Sequence, residues 1–140
     1  MTPTERPLSP EDLAELREEL QRARSRWLLT DQQGAEQIIE ALERSLEADG
    51  GLRQDDQVFA AGLLLGDALT RAVAYEWVWL AYPNGLEAVA VVERERRFVC
   101  LPVQFLNSAR QDATALRTLW QVAQGAGPLG VRPNAYLPLG

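Results

Sequence analysis

This chain contains no histidine and no lysine, and all fourteen of its basic residues are arginine. Without histidine, the most common general base and the most common metal ligand are both missing. Without lysine, Schiff-base chemistry and the phosphate-binding lysine of P-loop proteins are excluded as well. A hydrolase built on this chain would therefore have to work with carboxylates alone.

Cysteine is scarce too, because Cys100 is the single cysteine of the chain. One cysteine excludes an internal disulfide and every cysteine-rich zinc site. Cys100 stands between Val99 and Leu101 in a run of strand-forming residues, a setting typical of a small buried hydrophobic residue. A reactive thiol is the alternative interpretation.

Long apolar runs are also missing, since no segment approaches the roughly 20 residues that a membrane-spanning helix needs. The first nine residues contain no basic region followed by an apolar stretch, so the sequence shows no secretory signal. We therefore expect a cytoplasmic protein without a membrane partner.

The charge of the chain is strongly acidic, with twenty acidic residues and a net charge of −6. Nucleic-acid binding depends mainly on neutralising phosphates, so we expect no nucleic-acid partner. A partner protein with a basic surface fits this charge better, because complementary charges favour association.

Two amphipathic helices are predicted in the first fifty residues. Ser9 reads as the N-cap of the first helix and Pro10 as its first residue. Three- and four-residue spacing then gives this helix an apolar face of Leu13, Leu16, Leu20, Ala23 and Trp27. After a break at residues 30–34, the second helix has an apolar face of Ala35, Ile38, Ile39, Leu42 and Leu46. Glycines at 50 and 51 end the second helix. Two amphipathic helices separated by this short break predict an antiparallel helical hairpin.

A third helix is predicted at residues 54–73, with few solvent-exposed positions. Its apolar residues are Val58, Phe59, Leu63, Leu64, Leu65, Leu69 and Val73, so we expect it to be the central helix. Gly62 and Gly66 lie one turn apart on one face, and each costs up to about 1 kcal/mol of helix stability relative to alanine. We expect another backbone or a bulky ring to approach closely at these glycines.

A β-hairpin follows, with strands at residues 75–82 and 86–92 around the turn Asn84-Gly85. A two-residue turn would place Trp77 opposite Val92, Trp79 opposite Ala90 and Ala81 opposite Ala88. Both faces of this hairpin are apolar, so both need to be covered. A third strand at residues 97–101, ended by Pro102, would complete an antiparallel meander.

The remaining residues predict two C-terminal helices and a tail. A short helix covers residues 103–110, and a longer one at 113–123 is capped by Asp112. Residues 125–140 are rich in glycine and proline and could dock through Val131, Tyr136, Leu137 and Leu139. We thus predict one α+β domain over residues 1–140: an N-terminal helical hairpin and a central helix packed on a three-stranded antiparallel β-meander, with C-terminal helices.

Several of these features occur together in a known family. They are the helix segment Gly62-Leu63-Leu64-Leu65-Gly66-Asp67-Ala68-Leu69, the strand Glu76-Trp77-Val78, the turn glycine Gly85, and Pro102 after the third strand. On these residues, the region 59–120 resembles a bacterial family described as domain of unknown function 3806. The resemblance implies this architecture and a bacterial source. The family has no established activity, so it implies no catalytic residues.

Asp67 is the first candidate for chemistry, because it interrupts an otherwise apolar helix. A partly buried carboxylate there could act as an acid or base, with Glu76 as a second group. The structural alternative is an i,i+4 ion pair with Arg71. Metal binding by Asp55, Asp56 and Asp67 is a further alternative, although Asp55-Asp56 suits the first turn of a helix.

An acidic stripe follows one face of the second helix and consists of Glu36, Glu40, Glu43 and Glu47. Such a run is either a solvated helix face or a surface that steers a basic partner. We assign these four glutamates, together with Asp67 and Glu76, as candidate partner-binding residues. The tryptophans present the same choice between core packing and a binding surface: Trp27, Trp77, Trp79 and Trp120.

The hypothesis we favour is a non-catalytic bacterial protein-binding module, specifically an immunity or antitoxin-like inhibitor that binds a basic toxin or effector. One alternative is an acidic secretion chaperone or adaptor, and another is a carboxylate-dependent enzyme using Asp67 and Glu76. A homodimer is compatible with each, and we expect no cofactor and no metal. A deep polar pocket at Asp67 would favour the enzyme, whereas a groove with exposed aromatic residues would favour the module.

Overall fold

The protein is built from five α-helices and one five-stranded sheet in residues 2–126 and 131–139, which the computed structural model describes. The helices are α1 (Pro10–Arg26), α2 (Ala35–Glu47), α3 (Asp55–Ala72), α4 (Pro102–Ser108) and α5 (Ala113–Gln121), which is followed by a turn at Val122–Ala126 where Gly125 leaves the helical conformation with a φ of +135°. The strands are β1 (Thr4–Arg6), β2 (Tyr75–Ala81), β3 (Glu87–Glu93), β4 (Phe98–Cys100) and β5 (Leu137–Pro138). The predicted α+β class is confirmed.

Local capping explains why the helices begin where the sequence predicts. The Ser9 hydroxyl accepts from the Asp12 N–H at 3.0 Å, and the Asp12 carboxylate accepts from the Ser9 N–H at 3.2 Å. This reciprocal capping box satisfies two of the four free N–H groups at the start of α1. Asp112 caps α5 with a single hydrogen bond, accepting from the Ala115 N–H at 2.9 Å.

Helix α3 is the central helix, as predicted, and it is buried almost continuously from Val58 to Leu69. Helices α1 and α2 both pack against α3, and α2 also packs against α5, so α1 and α2 do not form the packed antiparallel hairpin that the sequence predicts. The predicted close approaches at its glycines are confirmed: Gly62 faces the backbone of Val103, and Gly66 faces the ring of Trp77. The prediction fails at Phe59, which is 45% exposed although the helix pattern assigned it to the core.

The predicted register of the hairpin is wrong by one residue. Trp77 pairs with Val91 and Trp79 with Val89, because the loop has three residues instead of two. Its Gly85 N–H donates to the Tyr82 carbonyl at 2.9 Å, and Gly85 has a φ of +91°. This is a three-residue loop with a glycine in the left-handed region, and the extra residue shifts every cross-strand pair.

Two short strands extend the predicted meander on both sides. The sheet order is β1-β2-β3-β4-β5, with antiparallel neighbours from β1 to β4 and β5 parallel to β4. Two- and three-residue strands are too short to show a period-two pattern, so sequence patterning missed them. The predicted docking of the tail is confirmed for residues 131–139, while 127–130 and 140 of that tail lie outside the described residues.

The sheet separates two apolar layers. Its inner face contributes Tyr75, Trp77, Val91, Phe98 and Cys100 to the main core beneath the helices. Its outer face carries a smaller cluster of Val78, Leu80, Ala90, Val92 and Val99, against which the ring of Tyr136 packs. The expectation that both faces of the hairpin need cover is thus met, and the tail supplies part of it.

Candidate partner-binding groove

The acidic stripe on α2 is partly used inside the molecule. Arg117 of α5 binds Glu36 at 2.8 Å and also binds Glu43, and the Trp120 indole N–H donates to Glu36 at 2.9 Å. Hydrogen bonds from Arg117 and Trp120 lower the pKa of Glu36, which therefore stays ionised at neutral pH. Two of the four stripe glutamates thus fasten α5 to α2.

The other two stripe residues face solvent. Glu40 and Glu47 are exposed and form no ion pair within residues 2–126 and 131–139. Glu40 and Glu47 therefore leave an acidic surface on α2, with two free carboxylates where the sequence predicts four.

Asp67 is buried within the helical layer instead of lining a cleft. Its carboxylate binds the guanidinium of Arg24 from α1 and the Nε of Arg71 at 3.0 Å. The predicted i,i+4 pair with Arg71 is confirmed, although Asp67 itself is buried. Arg24 was not identified from the sequence, because a contact between residues 24 and 67 leaves no local pattern.

Glu76 lies on the opposite side of the sheet from Asp67. It alternates with Trp77 along β2, so it points to the outer face, where Arg96 binds it at 2.5 Å. Arg96 also binds Glu5 of β1 at 2.9 Å. The structure therefore separates Asp67 and Glu76, which the enzyme hypothesis needed side by side.

A groove opens on the other end of the inner sheet face, between the sheet and helices α1, α3 and α4. We call it the Trp groove, and it has a cavity volume of about 350 Å³. Its lining residues are Leu8, Asp12, Glu15, Leu16, Glu19, Phe59, Leu63, Trp77, Trp79, Glu87, Ala88, Val89, Pro102, Val103 and Gln104. Apolar side chains dominate this set, and it contains no arginine. The groove with exposed aromatic residues is the feature that favours a binding module.

The two glycines of α3 position the walls of the Trp groove. A side chain at Gly62 would collide with α4, since its Cβ would lie 2.6 Å from the Cα of Val103. A side chain at Gly66 would overlap the ring of Trp77. The absence of both side chains lets α4 and the Trp77 ring approach α3, so the notched helix shapes the groove.

Carboxylates form the rim of the Trp groove. Asp12, Glu15 and Glu19 lie on one face of α1, at the three- and four-residue spacing that aligns side chains on a helix. Glu87 of β3 adds a fourth carboxylate from the sheet. Arg22 pairs with Glu19 and Arg6 pairs with Glu87, whereas Asp12 and Glu15 form no ion pair in the part of the chain that the structure describes. The rim therefore keeps an excess of negative charge, carried by Asp12 and Glu15.

Trp79 connects the floor of the groove to its acidic rim. Its indole N–H donates to the Asp12 carboxylate at 2.9 Å, and this hydrogen bond is the main cause that lowers the Asp12 pKa. The Arg6 guanidinium lies 5.0 Å from the centroid of the Trp79 ring, within cation–π range. Arg6 also pairs with Glu87 at 3.7 Å.

Sequence reasoning missed the α1 wall of the groove, although one signal was present. The apolar spacing of α1 predicts the face that packs on the core and assigns no role to its acidic residues. Asp12, Glu15 and Glu19 flank Leu16 at helical spacing, which marks a half-apolar, half-acidic face. What no pattern could show is that the tryptophans of β2 lie opposite that face.

The other candidate chemistry does not assemble in the described residues. No group of three or more potential metal ligands occurs there, and Asp55 and Asp56 pair with Arg110 and Arg26. Cys100 is fully buried, and burial raises the pKa of its thiol to about 12, so it is the inert hydrophobic residue that the sequence predicts.

Among the residues that the structure describes, no helix combines the length and apolar character needed to cross a membrane. Comparison with known proteins gives no match to any family model, to any curated protein or to any solved structure. The resemblance to domain of unknown function 3806 stays a prediction.

Proposed function

We propose that this chain is a non-catalytic protein-binding module, an immunity or antitoxin-like inhibitor that binds a basic partner protein. The Trp groove carries the proposal, because it combines an apolar aromatic floor with a rim of carboxylates, of which Asp12 and Glu15 form no ion pair in the described residues. Aromatic residues supply much of the binding energy in protein interfaces, and complementary charge speeds association and selects the partner.

The placement of the candidate catalytic groups supports a binding role. Asp67 is held by Arg24 and Arg71 in the helical layer, and Glu76 is held by Arg96 on the outer sheet face. A carboxylate pair for acid–base catalysis must reach the same reacting atoms, and these two lie on opposite sides of the sheet. Each serves instead as an ion-pair partner.

The test is co-purification of this chain with the products of its neighbouring genes, followed by growth rescue. We expect one neighbour with a basic surface to form a stoichiometric complex whose affinity falls with added salt, since screening weakens exposed charge pairs. If that neighbour arrests growth when expressed alone, co-expression of this chain should restore growth. A chain that binds none of these products, or a complex that is insensitive to salt, would contradict the proposal.

A further inference from the structure

We propose that the Trp groove binds an amphipathic segment of the partner, whose apolar side chains fill the floor and whose arginine or lysine side chains reach the acidic wall of α1. This inference rests on the function proposed above and assigns the chemistry of the bound segment. It also places binding in the Trp groove, where accessible aromatic surface lies beside carboxylates, and not on the α2 stripe.

The floor of the groove defines the apolar part of the segment. Phe59 is 45% exposed, and Trp77 and Trp79 are half-buried, so aromatic surface stays accessible. A cavity of about 350 Å³ is at the small end of ligand clefts, which span about 300–1,000 Å³. It has room for a few apolar side chains, as in proteins that bind one face of an amphipathic helix.

The rim defines the charge of the segment. Asp12, Glu15 and Glu19 follow α1 along one side, so the negative charge is spread along the groove instead of being concentrated at one point. Arg22 pairs with Glu19, but Glu15 and Asp12 have no ion-pair partner in residues 2–126 and 131–139. Arginine and lysine have long apolar stems, which lets them cover the floor while their charged ends reach such a rim.

The molecule already contains one example of this recognition. Arg6 lies over the Trp79 ring at 5.0 Å and pairs with Glu87, which also lines the groove. A guanidinium bound between a tryptophan ring and a carboxylate is the arrangement that a partner arginine would adopt beside Trp77 and the α1 carboxylates. The chemistry of the site thus suits arginine in particular.

Other occupants fit the groove less well. Phosphate groups of nucleic acids or anionic lipids would meet four carboxylates and be repelled. A second copy of this chain carries a net charge of −6, so a symmetric contact through the groove would place like charges against each other. A small cationic amphiphile also combines an apolar part with a positive charge, but it would contact only part of the row of α1 carboxylates.

The experiment uses synthetic peptides of about 14 residues, roughly four helical turns, with the intact chain labelled with ¹⁵N. One peptide carries leucines at helical spacing with arginines between them. A second replaces the arginines with glutamates, and a third replaces the leucines with serines. The indole N–H signals of Trp77 and Trp79 should shift with the first peptide only. Those of Trp27 and Trp120, which donate to Ser45 and Glu36, should stay in place.

Charge variants locate the binding site. Glu15→Gln/Glu19→Gln should weaken binding of the arginine peptide about fivefold, because it removes the free Glu15 carboxylate and leaves Arg22 without its Glu19 partner beside a cationic peptide. The matched control Glu40→Gln/Glu47→Gln changes the net charge equally on the α2 stripe and should leave binding within about twofold. Loss of binding in the control instead would place the site on the stripe and overturn the inference.

Apolar variants test the floor. Phe59→Ala should weaken binding about tenfold, as for an aromatic residue at the centre of an interface. The control Leu86→Ala removes a side chain of nearly equal exposure, 46%, that does not line the groove, and it should bind normally. Urea unfolding confirms that both variants fold, and the glutamine variants decide the question if Phe59→Ala does not.

Three results would overturn the inference: equal binding of the glutamate peptide, binding of the serine peptide, or shifts from a one-charge amphiphile such as dodecylammonium that match those from the arginine peptide. Self-association that involves the Trp77 and Trp79 signals would also overturn it, by identifying a second copy as the occupant. If a neighbouring gene product still binds while the groove variants have no effect, the proposed function stands and this inference fails.

Discussion

The buried ion pair between Arg24 and Asp67 gives the sharpest test of how the helical layer is held together. Their side chains are only 10% and 11% exposed, and the Nε of Arg24 is buried without a hydrogen-bond partner. Among the residues that the structure describes, the other ion-pair partner of Arg24 is Asp31, which is largely exposed. Replacing Asp67 with asparagine keeps the shape of the side chain and removes the charge that compensates Arg24.

We expect Asp67→Asn to reduce the free energy of unfolding by about 3–5 kcal/mol, the usual cost of removing one member of a buried ion pair. The control is Asp56→Asn in the same helix, because Asp56 also binds an arginine, Arg26 at 3.0 Å, but in an exposed position. Exposed pairs contribute about 0.2–1 kcal/mol, so this control should stay close to wild type. Since domains are stable by only about 5–15 kcal/mol, the difference is easily measured.

Urea unfolding followed by circular dichroism gives both values. The double variant Arg24→Met/Asp67→Leu should recover most of the loss, since apolar residues of similar volume replace both charges. The buried ion pair does not explain the role of Asp67 if the free energy of unfolding of Asp67→Asn is within about 1 kcal/mol of wild type. The same holds if the double variant is as unstable as Asp67→Asn. A catalytic role would then regain support.

Three further predictions follow from single sites. Gly62→Ala should lower the urea midpoint, because overpacking against the Val103 backbone costs about 1–3 kcal/mol and exceeds the roughly 1 kcal/mol of helix propensity gained; a higher midpoint would contradict this. Hydrogen bonds from Arg97 lower the pKa of Glu93 below its ordinary value of 4.5, so the ionised Glu93 stabilises the fold fully above pH 4.5 and this contribution is lost as the pH falls through the folded-state pKa. Glu93→Gln should therefore make the free energy of unfolding depend less steeply on pH in the acid range. Cys100 should react with a thiol reagent only on unfolding, and rapid labelling of the native protein would show that its burial is wrong.

Helix positions were predictable from the sequence because their causes are local. The start of α1 depends on Ser9, Pro10 and Asp12, which are neighbours in the chain, and the capping box forms as the pattern indicates. Gly62 and Gly66 also predict that another group approaches α3 closely, since glycine in a helix interior lowers helix stability and close packing offsets that loss. Which groups would pack there was not predictable from α3 alone.

The hairpin shows where local patterns stop being sufficient. Asn84-Gly85 correctly located the turn, but the loop includes Pro83, and this one residue changes the register. Both registers place apolar side chains on both faces, so the pattern did not distinguish between them. Only the cross-strand hydrogen bonds of the folded sheet do so.

The sequence by itself determined the α+β class, the central position of α3, the inert cysteine and the absence of histidine and lysine chemistry, because composition and short-range periodicity carry that information. Only the tertiary structure decided that Arg24 binds Asp67, that Arg96 binds Glu76, and that the α1 carboxylates meet Trp77 and Trp79. The side chains that form the Trp groove lie up to 96 residues apart in the chain, from Leu8 to Gln104. Contacts at that separation arise from packing and leave no periodic trace along the chain.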